Sequence, residues 1–337
     1  MEKKSLLIVG AGGFIGGFIA AEGLRRGYET YVGVRASTSR RYLQDERLHA
    51  VVLDYDDPEG MEATLRAEAP GGRWDYIIWN LGATKCADYS DFNLINFMYP
   101  RTFVEILRRC DMVPERFLYM SSLSAVGPSD ERTYTPITSR TVPNPNTRYG
   151  LSKIKTETYL ETLPDFPWTI FRPTGVYGPH EQDYLMMIKC IDRGWDFGVG
   201  YKRQMLTFIY VDDLVGAMFD AIASEATLRR KYIISEDRAY SQREFRQMVA
   251  QALGKRCVIP VKLPLWMAYV ASVIAEKVAL TRGRVSTLNR DKYRIMRQRN
   301  WCCDVSDAVR DFGFKVNFPL ERGVAETVRA YKASPQR

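Results

Sequence analysis

The chain opens with a short apolar run followed by helically spaced apolar residues. Ser5–Val9 has the apolar, β-branched character of a buried parallel strand, and residues 14–25 repeat apolar positions at helical intervals. Further apolar runs predict strands at residues 29–34, 49–53, 76–79, 116–120 and 168–171. Helical patterns lie between most of them, including residues 100–110 and 152–162. This alternation predicts an α/β fold, a parallel sheet covered by helices on both faces.

The pattern becomes less regular after Arg172, which suggests a second region. We predict a doubly wound parallel sheet in residues 1–173, to which the chain returns around residues 204–235. Residues 174–203 and 236–337 are assigned to a smaller, carboxy-terminal substrate-binding region.

A glycine-rich turn connects the first strand to the first helix. Glycines at positions 10, 13 and 16 allow a tight turn, close approach of the backbone to a pyrophosphate, and close packing of helix on strand. The pyrophosphate is expected at the helix N-terminus, where unpaired N–H groups and the positive end of the dipole favour an anion. A plain strand-to-helix turn is the alternative interpretation of this segment.

Composition and charge narrow the function classes. The chain has 337 residues and 46% hydrophobic content, enough to bury a full core. The amino terminus lacks the apolar core and cleavage site of a signal peptide, so a cytoplasmic location is expected. The six cysteines form no Cys-x-x-Cys pair and there are only two histidines, so neither a metal centre nor a disulfide framework is expected. The net charge of +8 comes without a base-reading motif, which favours an anionic small ligand or a lipid surface over nucleic acid.

Tyr149 and Lys153 are the candidate acid–base pair. Positions i and i+4 share one face of a helix, and Ser121 and Ser122 precede them in the chain. A phenol with a pKa of about 10 is a poor acid–base group at neutral pH, but a nearby ammonium favours the phenolate. We therefore expect Tyr149 to exchange a proton with a substrate oxygen. An ordinary surface helix is the alternative when these two residues are considered alone.

Taken together, these motifs resemble the extended short-chain dehydrogenase/reductases, also called the NAD-dependent epimerase/dehydratase family. The resemblance runs over almost the whole chain. The matching segments are Gly10-x-x-Gly13-x-x-Gly16, Asp54, Asn80-Leu-Gly-Ala83, Asn96, Ser121-Ser122-Leu-Ser-Ala-Val-Gly127, Tyr149-x-x-x-Lys153, Arg172-Pro-Thr-Gly-Val-Tyr-Gly-Pro179 and Tyr210-Val-Asp-Asp213. The resemblance implies a Rossmann fold, hydride transfer with a nicotinamide cofactor, and a homodimer.

The resemblance also implies roles for individual residues. It implies a catalytic set of Ser122, Tyr149 and Lys153, with Lys153 also binding the nicotinamide ribose. The spacing to Gly127 in relatives selects Ser122 over Ser121 and Ser124 as the catalytic serine. Other cofactor contacts are implied for Gly10, Gly13, Phe14, Ile15, Gly16, Asp54, Tyr55, Leu81, Gly82, Ala83, Pro173, Thr174 and Val176. Substrate contacts are implied for Thr84, Ser124 and Tyr177.

Cofactor choice is decided at the end of the second strand. An acidic residue there would bind the adenosine ribose and repel a 2′-phosphate. This chain has no acid at that place but carries Arg35, Ser37, Arg40 and Arg41, which suit charge-assisted bonds to a phosphate. The pattern favours NADP(H) and leaves NAD(H) possible, and a solvated basic loop is the alternative.

The substrate class rests on a missing pair. Nucleotide-sugar epimerases of this family commonly place an Arg-Asp pair where this chain has Leu206-Thr207, although Arg172 or Arg203 could compensate. The neighbouring segments look more like the 3β-hydroxysteroid dehydrogenase-like branch and like bacterial ketone reductases of sphingolipid synthesis. We therefore expect a bulky, lipophilic ketone or alcohol. A nucleotide-sugar epimerase or dehydratase with tightly bound NAD is the alternative, and a redox-sensing binding protein is disfavoured by the Tyr-Lys pair.

An uncharged apolar stretch at residues 263–275 suggests contact with lipid. It is too short to span a bilayer, which needs about 20 residues, but Trp266 and Tyr269 suit the headgroup region. Basic residues follow as Arg282, Arg284, Arg290, Lys292, Arg294, Arg297 and Arg299. We predict a helix lying on an anionic membrane surface, at the inner face of the membrane. The alternative is a core or dimer helix followed by a solvated basic face.

Overall fold

The computed structural model describes residues 3–86, 88–282 and 286–333. The strands are β1 (Ser5–Val9), β2 (Glu29–Val34), β3 (His49–Val52), β4 (Tyr76–Trp79), β5 (Arg116–Met120), β6 (Trp168–Pro173), β7 (Gly175–Tyr177), β8 (Trp195–Val199), β9 (Met205–Leu206), β10 (Phe208–Tyr210), β11 (Arg230–Ile234), β12 (Tyr240–Ser241) and β13 (Ile259–Leu263). The helices are α1 (Phe14–Arg25), α2 (Pro58–Glu68), α3 (Ser90–Asn93), α4 (Tyr99–Arg109), α5 (Arg148–Glu161), α6 (Gln182–Asp192), α7 (Val211–Ala223), α8 (Gln242–Leu253), α9 (Leu265–Thr281), α10 (Arg290–Arg297), α11 (Ser306–Phe312) and α12 (Leu320–Ala333). A π-helical turn, Leu94–Met98, joins α3 to α4.

The central sheet confirms the predicted α/β class. Its parallel strands follow the order β3-β2-β1-β4-β5-β6-β11. Side chains of β1 alternate between two cores: Leu6 and Ile8 face one cluster, while Leu7 and Val9 face the other. Because both faces are buried, the strand is a continuous apolar run, as expected for a doubly wound sheet.

The strand order reverses between β1 and β4, which are hydrogen-bonded neighbours although β2 and β3 come between them in sequence. A reversal of this kind opens a crevice at the carboxyl ends of the strands, where ligands of such folds bind. The glycine turn after β1 and the Asn80–Ala83 segment after β4 both lie at this crevice.

The carboxy-terminal region builds its own core beside the sheet. Residues from α6, α8 and α12 pack with Tyr177, Phe208 and Tyr210 in one apolar cluster. Short ribbons pair β7 with β10, β9 with β12, and β8 with β13. The chain returns to the central sheet at the edge strand β11.

Several basic residues after α9 are ion-paired or buried, so fewer of them contribute to a cationic surface than the sequence predicts. Three of them form ion pairs with internal carboxylates: Arg290 with Glu276 at 3.0 Å, Lys292 with Asp183 at 2.9 Å and Arg294 with Asp291 at 3.4 Å. Arg299 is 4% exposed and donates to the carbonyl of Val199 at 3.0 Å. Arg282 and Arg297 remain exposed, and Arg284 lies outside the described residues. No helix within the described ranges is long and apolar enough to cross a membrane.

Candidate active site

Three predicted catalytic residues meet where β5 ends and α5 begins. Ser122 lies two residues after the end of β5, and Tyr149 and Lys153 lie on the first turns of α5. The Ser122 hydroxyl lies close enough to the Tyr149 phenol to lower its pKa, and it accepts the amide of Ser124 at 3.2 Å. The structure therefore brings Ser122 and Tyr149 together at the carboxyl edge of the sheet.

The first turn of α5 is fixed from two sides. The Thr147 hydroxyl accepts the amide of Gly150 at 3.0 Å, as a helix N-cap. The carboxylate of Asp291, on α10, accepts the amides of Arg148 at 2.8 Å and Tyr149 at 3.3 Å. A negative charge at this position also complements the helix dipole. Asp291 thus holds the turn that carries Tyr149, although no sequence signal links positions so far apart.

Lys153 is buried behind this turn. Its Nζ donates to the carbonyl of Met120 at 2.8 Å and lies 5.0 Å from the centroid of the Tyr119 ring. Burial lowers the pKa of Lys153 to about 7, with Glu157 opposing the shift. Near neutral pH the amine is therefore close to half-protonated.

The pKa of Tyr149 differs from the sequence expectation. Burial raises it to about 12, and the nearby Ser122 hydroxyl opposes that rise. The expected lowering by the Lys153 ammonium is absent, because burial disfavours the charge of both groups. Tyr149 consequently holds its phenolic proton at neutral pH.

The neighbouring Ser121 has a different environment. Its hydroxyl donates to Glu157, which is buried and paired with Arg172 through Nε–Oε contacts of 3.1 and 3.2 Å. Glu157 lies one helical turn after Lys153 on α5, so Ser121 belongs to a buried network next to the lysine. Ser122, in contrast, lies beside Tyr149. The spacing of Lys153 and Glu157, four residues apart, was the available sequence signal for this network.

Asn96 connects the π-helical turn to the loop after β4 and to helix α5. Its side chain exchanges hydrogen bonds with the backbone of Ala83 at 2.8 and 2.9 Å and donates to the Ser152 hydroxyl at 2.9 Å. Its carbonyl accepts the Thr156 hydroxyl at 2.5 Å. π-helical turns often occur at functional sites, and this one directs a buried amide to the loop after β4.

The glycine turn fits a dinucleotide pyrophosphate. Gly10 has φ +84°, and a Cβ there would lie 2.6 Å from the amide nitrogen of Leu81. A Cβ on Gly16 would lie 2.5 Å from the carbonyl of Gly10. Gly13 is the N-cap of α1, and no side chain of the described residues caps this end, so the N–H groups of its first turn, which includes Phe14 and Ile15, suit an anion.

The loop after β2 lies against this turn. Arg35, Ser37 and Arg40 are exposed on it, and the amide of Arg35 donates to the Thr38 hydroxyl at 3.1 Å. A Cβ on Gly12 would meet the Thr38 methyl at 2.1 Å. The loop therefore places its basic residues next to the glycine cradle. Arg41 stacks over the Tyr42 ring instead, with its Cζ 4.4 Å from the ring centroid.

The remaining predicted cofactor residues follow the ends of β3, β4 and β6. Asp54 is exposed, whereas Tyr55 is 5% exposed and its ring stacks on Tyr99. Gly82 adjoins Lys153, because a Cβ there would lie 2.8 Å from its Nζ, while Leu81 lies against Gly10 and Ala83 bonds Asn96. Past Pro173, the hydroxyl of Thr174 is buried without a partner among the described residues, and Val176 is partly buried.

The three predicted substrate contacts lie in different surroundings. Thr84 is exposed on the loop after β4, and the carbonyl of Ser124 faces Gly150 beside Tyr149. Tyr177 is 2% exposed and packs with Tyr184, Phe208 and Tyr210 in the carboxy-terminal core. Neighbouring rings enclose the side chain of Tyr177, and its role as a substrate contact stays a prediction.

The residues at the positions of the missing Arg-Asp pair make contacts inside the protein. Leu206 packs in the apolar clusters, and the Thr207 hydroxyl donates to the carbonyl of Trp301 at 2.7 Å. Arg172 is 1% exposed and ion-paired with Glu157, so it does not compensate as a surface phosphate ligand. Arg203 is exposed.

Sequence reasoning missed a set of polar and aromatic residues on the loop after β4, the segment into α3, α6 and α10, and we call this side of the site the entrance. Lys85, on the loop after β4, and Lys292, on α10, both donate to Asp183 on α6, at 2.5 and 2.9 Å. The ring of Phe92 lies 6.2 Å from that of Tyr149, and Tyr89 stacks on Phe92 at 6.2 Å. The entrance thus combines an aromatic wall with a lysine–carboxylate bridge. Within the described residues, no group of three or more histidine, cysteine, aspartate or glutamate side chains could hold a metal ion.

Comparison with known proteins identifies relatives over the sheet region. The model of the NAD dependent epimerase/dehydratase family matches residues 6–234. The human protein "Short-chain dehydrogenase/reductase family 42E member 1" is 34% identical over 125 residues, and this match spans 34% of the chain and 31% of that protein. A Thermus thermophilus UDP-glucose 4-epimerase in complex with NAD superposes with a TM-score of 0.78 at 18% identity, covering 98% of this chain and all of that one (100%). A Thermotoga maritima UDP-glucose 4-epimerase with UDP-glucose gives 0.77 at 19% identity, covering 97% and 98%. At such identities the structures establish the shared fold.

Proposed function

Because the chain belongs to the NAD-dependent epimerase/dehydratase family, we propose that it is an NADP(H)-linked oxidoreductase that interconverts a ketone and a secondary alcohol on a bulky, lipophilic substrate. The observation that carries this proposal is the convergence of Ser122, after β5, with Tyr149 and the buried Lys153 on the first turns of α5. A hydroxyl, a phenol and an amine in this arrangement suit the transfer of one proton to or from a substrate oxygen.

Each of the three residues would have a separate role in the reaction. The Ser122 hydroxyl would hold the substrate oxygen next to the Tyr149 phenol, and the phenol would donate its proton to that oxygen as a carbonyl is reduced. Lys153 would hold the nicotinamide ribose. The nicotinamide, when bound, supplies or accepts the hydride. A Tyr149 pKa of about 12 keeps the phenol protonated at neutral pH, which is the form that donates a proton during reduction.

The lipophilic substrate is supported by what surrounds Tyr149. Phe92 and Tyr89 form an aromatic wall beside it. The positions of the Arg-Asp pair of nucleotide-sugar enzymes hold Leu206 and Thr207, and Arg172 is engaged by Glu157. A diphosphate would therefore lack the bidentate arginine contact that its binding commonly uses.

The preference for NADP(H) is supported by the loop after β2. Arg35 and Arg40 are exposed beside the glycine turn, and no acid follows Val34. Losing one charge-assisted phosphate contact costs about 1.5–3 kcal/mol, roughly ten- to a hundredfold in affinity. We expect NADPH to bind more tightly than NADH in a fluorescence titration, and Arg35→Ala to weaken NADPH binding without weakening NADH binding. Equal affinities in the unmodified protein would contradict the phosphate site.

Nucleotide-sugar epimerisation or dehydration is the second candidate. It is favoured by Lys85 and Lys292 at the entrance, since two lysines sharing one carboxylate leave a net positive charge for a phosphate. Cofactor retention separates the two candidates. An epimerase should purify with tightly held NAD, whereas a reductase should release its cofactor in each cycle.

A substrate screen tests the proposal directly. NADPH oxidation is measured with ketosteroids, 3-keto-sphingolipids and keto-sugar nucleotides at equal concentration. We expect turnover with a lipophilic ketone and protein that purifies free of cofactor. Turnover confined to sugar nucleotides, with NAD retained, would establish the second candidate instead.

A further inference from the structure

Helix α9 has its apolar side chains on the outside. Of its residues, Trp266 is 67% exposed, Ile274 57% and Leu280 50%. The other exposed large apolar side chains on the helix are Leu265, Met267, Tyr269, Val270 and Val278. A helix that is apolar around most of its circumference is normally buried in a core or in a membrane.

Only a narrow stripe of α9 faces the protein. Ala268, Ser272 and Glu276 are its buried residues, and they are spaced four apart on one side of the helix. At 1.5 Å per residue, its 17 residues span about 25 Å, short of the roughly 30 Å hydrocarbon thickness. The helix suits a position in the plane of an interface.

The ribbon of β8 and β13, which leads into α9, also exposes apolar side chains. Ile259 and Trp195 are register partners and are 50% and 45% exposed, and Phe197 on the same face is 52% exposed. Strand β13 runs directly into α9 through Pro264. We call the exposed residues of α9 and of this ribbon the apolar face.

The charge around the apolar face is positive. Residues 255–282 contain one acidic side chain, Glu276, and it is buried and ion-paired with Arg290. The same stretch carries the basic residues Lys255, Arg256, Lys262, Lys277 and Arg282. Lys277 and Arg282 are exposed on α9 and at its end. Lys255 is paired with Asp192, and Asp196 on β8 is paired with Arg246, so the excess positive charge that an anionic surface would meet comes from the other basic residues of the stretch.

We propose that the apolar face docks in the plane of an anionic lipid bilayer, with Trp266 and Tyr269 at headgroup depth. Indole and phenol rings favour that depth, and nearby cations favour anionic headgroups. The charge excess favours a bilayer over a second copy of the chain, because two like-charged faces would repel each other. The proposal deepens the lipophilic-substrate part of the proposed function and rests on it for the role of docking in substrate supply.

The docked face is connected to the candidate active site. On the inner side of α9, Glu276 accepts the Tyr89 hydroxyl at 2.6 Å and pairs with Arg290, the residue before Asp291. Asp291 in turn binds the amide of Tyr149. Helix α9 alone would therefore separate a bilayer at the apolar face from Tyr89 in the aromatic wall of the site.

Vesicle sedimentation tests the docking. Full-length protein is mixed with vesicles of phosphatidylglycerol and phosphatidylcholine, or of phosphatidylcholine alone, at low and at high salt. We expect sedimentation with the anionic vesicles at low salt, reduced by high salt because surface charge is screened. The double variant Trp266→Ser/Ile274→Ser should bind at least tenfold more weakly, and Lys277→Glu should weaken binding at low salt. Val309→Ser removes a side chain of similar exposure (51%) on α11 and should bind normally.

Three results would overturn the proposal: no sedimentation of the unmodified protein, equal binding by the double variant, or a dimer in solution that the double variant dissociates. Turnover is measured separately with a detergent-dispersed ketone. Normal ketone reduction without vesicle binding would contradict the docking proposal and leave the proposed function standing. Vesicle binding without any ketone reduction would support docking and contradict the proposed function.

Discussion

At the scale of single residues, burial sets the protonation states of the acid–base pair. It raises the pKa of Tyr149 to about 12 and lowers that of Lys153 to about 7. Near pH 7 the phenol is therefore protonated and the amine is divided between its two forms. The family spacing identifies the two residues, but their protonation depends on how deeply the fold buries them, which the spacing alone does not show.

Replacing Tyr149 with Phe should lower turnover by about a hundredfold or more, the usual scale for a positioned proton donor. The change removes one hydroxyl and leaves the ring beside Phe92, so folding and cofactor binding should persist. Tyr159→Phe on the same helix is the matched control and should keep normal turnover. Steady-state kinetics on the ketone that the substrate screen identifies decide it, and near-normal turnover of the Tyr149→Phe protein would rule out the assignment.

Cofactor affinity should depend on pH through Lys153. The amine has a folded-state pKa of about 7, so its ammonium fraction falls as pH rises through that value. If the ammonium holds the ribose, the dissociation constant of NADPH should increase above pH 7, by up to about tenfold per pH unit. Lys153→Met should bind more weakly and with a flatter pH dependence. The control Lys155→Met changes an exposed lysine of α5 and should keep the slope.

Fluorescence titration between about pH 6 and about pH 9 measures this dependence. A dissociation constant that stays constant over this range in the unmodified protein, or a slope that persists in the Lys153→Met protein, would contradict a ribose contact by the ammonium.

At the scale of elements, long apolar runs were predictable and junctions were not. The predicted strands at 29–34, 76–79 and 116–120 and the helix at 14–25 have the observed bounds. The pattern predicted a helix from residue 152, whereas α5 begins at Arg148, because Thr147 and Asp291 satisfy its first amides. Apolar periodicity does not detect such a cap. The ribbon of β9 with β12 is likewise set by tertiary pairing, and a two-residue strand has too little pattern to recognise.

Removing the Asp291 carboxylate should disturb the turn that carries Tyr149. Asp291→Ala takes away the acceptor for two amides, and loss of a helix-capping group costs about 0.5–2 kcal/mol of unfolding free energy. We expect a lower kcat with little change in NADPH affinity, because the loss is local to the α5 N-terminus. Asp291→Asn keeps an acceptor and should recover part of the turnover.

Asp57→Ala is the matched control, because Asp57 caps α2 through the amide of Gly60 and lies away from Tyr149. Thermal melts and kinetics of both variants are compared. If the two lose similar stability and turnover is unchanged in both, Asp291 is a structural cap without influence on Tyr149.

At the scale of the whole molecule, carboxylates tie the carboxy-terminal region to the sheet domain. Asp183 on α6 receives Lys85 from the loop after β4, and Asp291 on α10 receives the start of α5. Glu276 on α9 receives Tyr89. The family motifs include none of these carboxylates, since each contact joins segments that are distant in sequence. The fold of the sheet was therefore predictable, whereas the closure of the site by the second region was not.

The Asp183 bridge should affect acid stability. Burial alone would raise the pKa of Asp183, but Lys292 and Lys85 outweigh it and lower the pKa below its usual value. A carboxyl with a depressed folded pKa stabilises the protein above its unfolded pKa of about 4 and loses that contribution as pH falls through the folded value. Asp183→Asn should therefore lower the melting temperature near neutral pH, and the deficit should shrink in acid and in high salt. Because the groups are partly exposed, the substitution should lower the free energy of unfolding by about 1 kcal/mol.

The same bridge should also affect substrate binding, because Lys85 and α10 flank the entrance. In the Asp183→Asn protein the Michaelis constant for the ketone should rise, with kcat less affected. Asp192→Asn, at the other end of α6, removes a pair with Lys255 inside the carboxy-terminal region and should leave the Michaelis constant unchanged. Equal Michaelis constants in the Asp183 variant and the unmodified protein would show that the bridge only stabilises the fold.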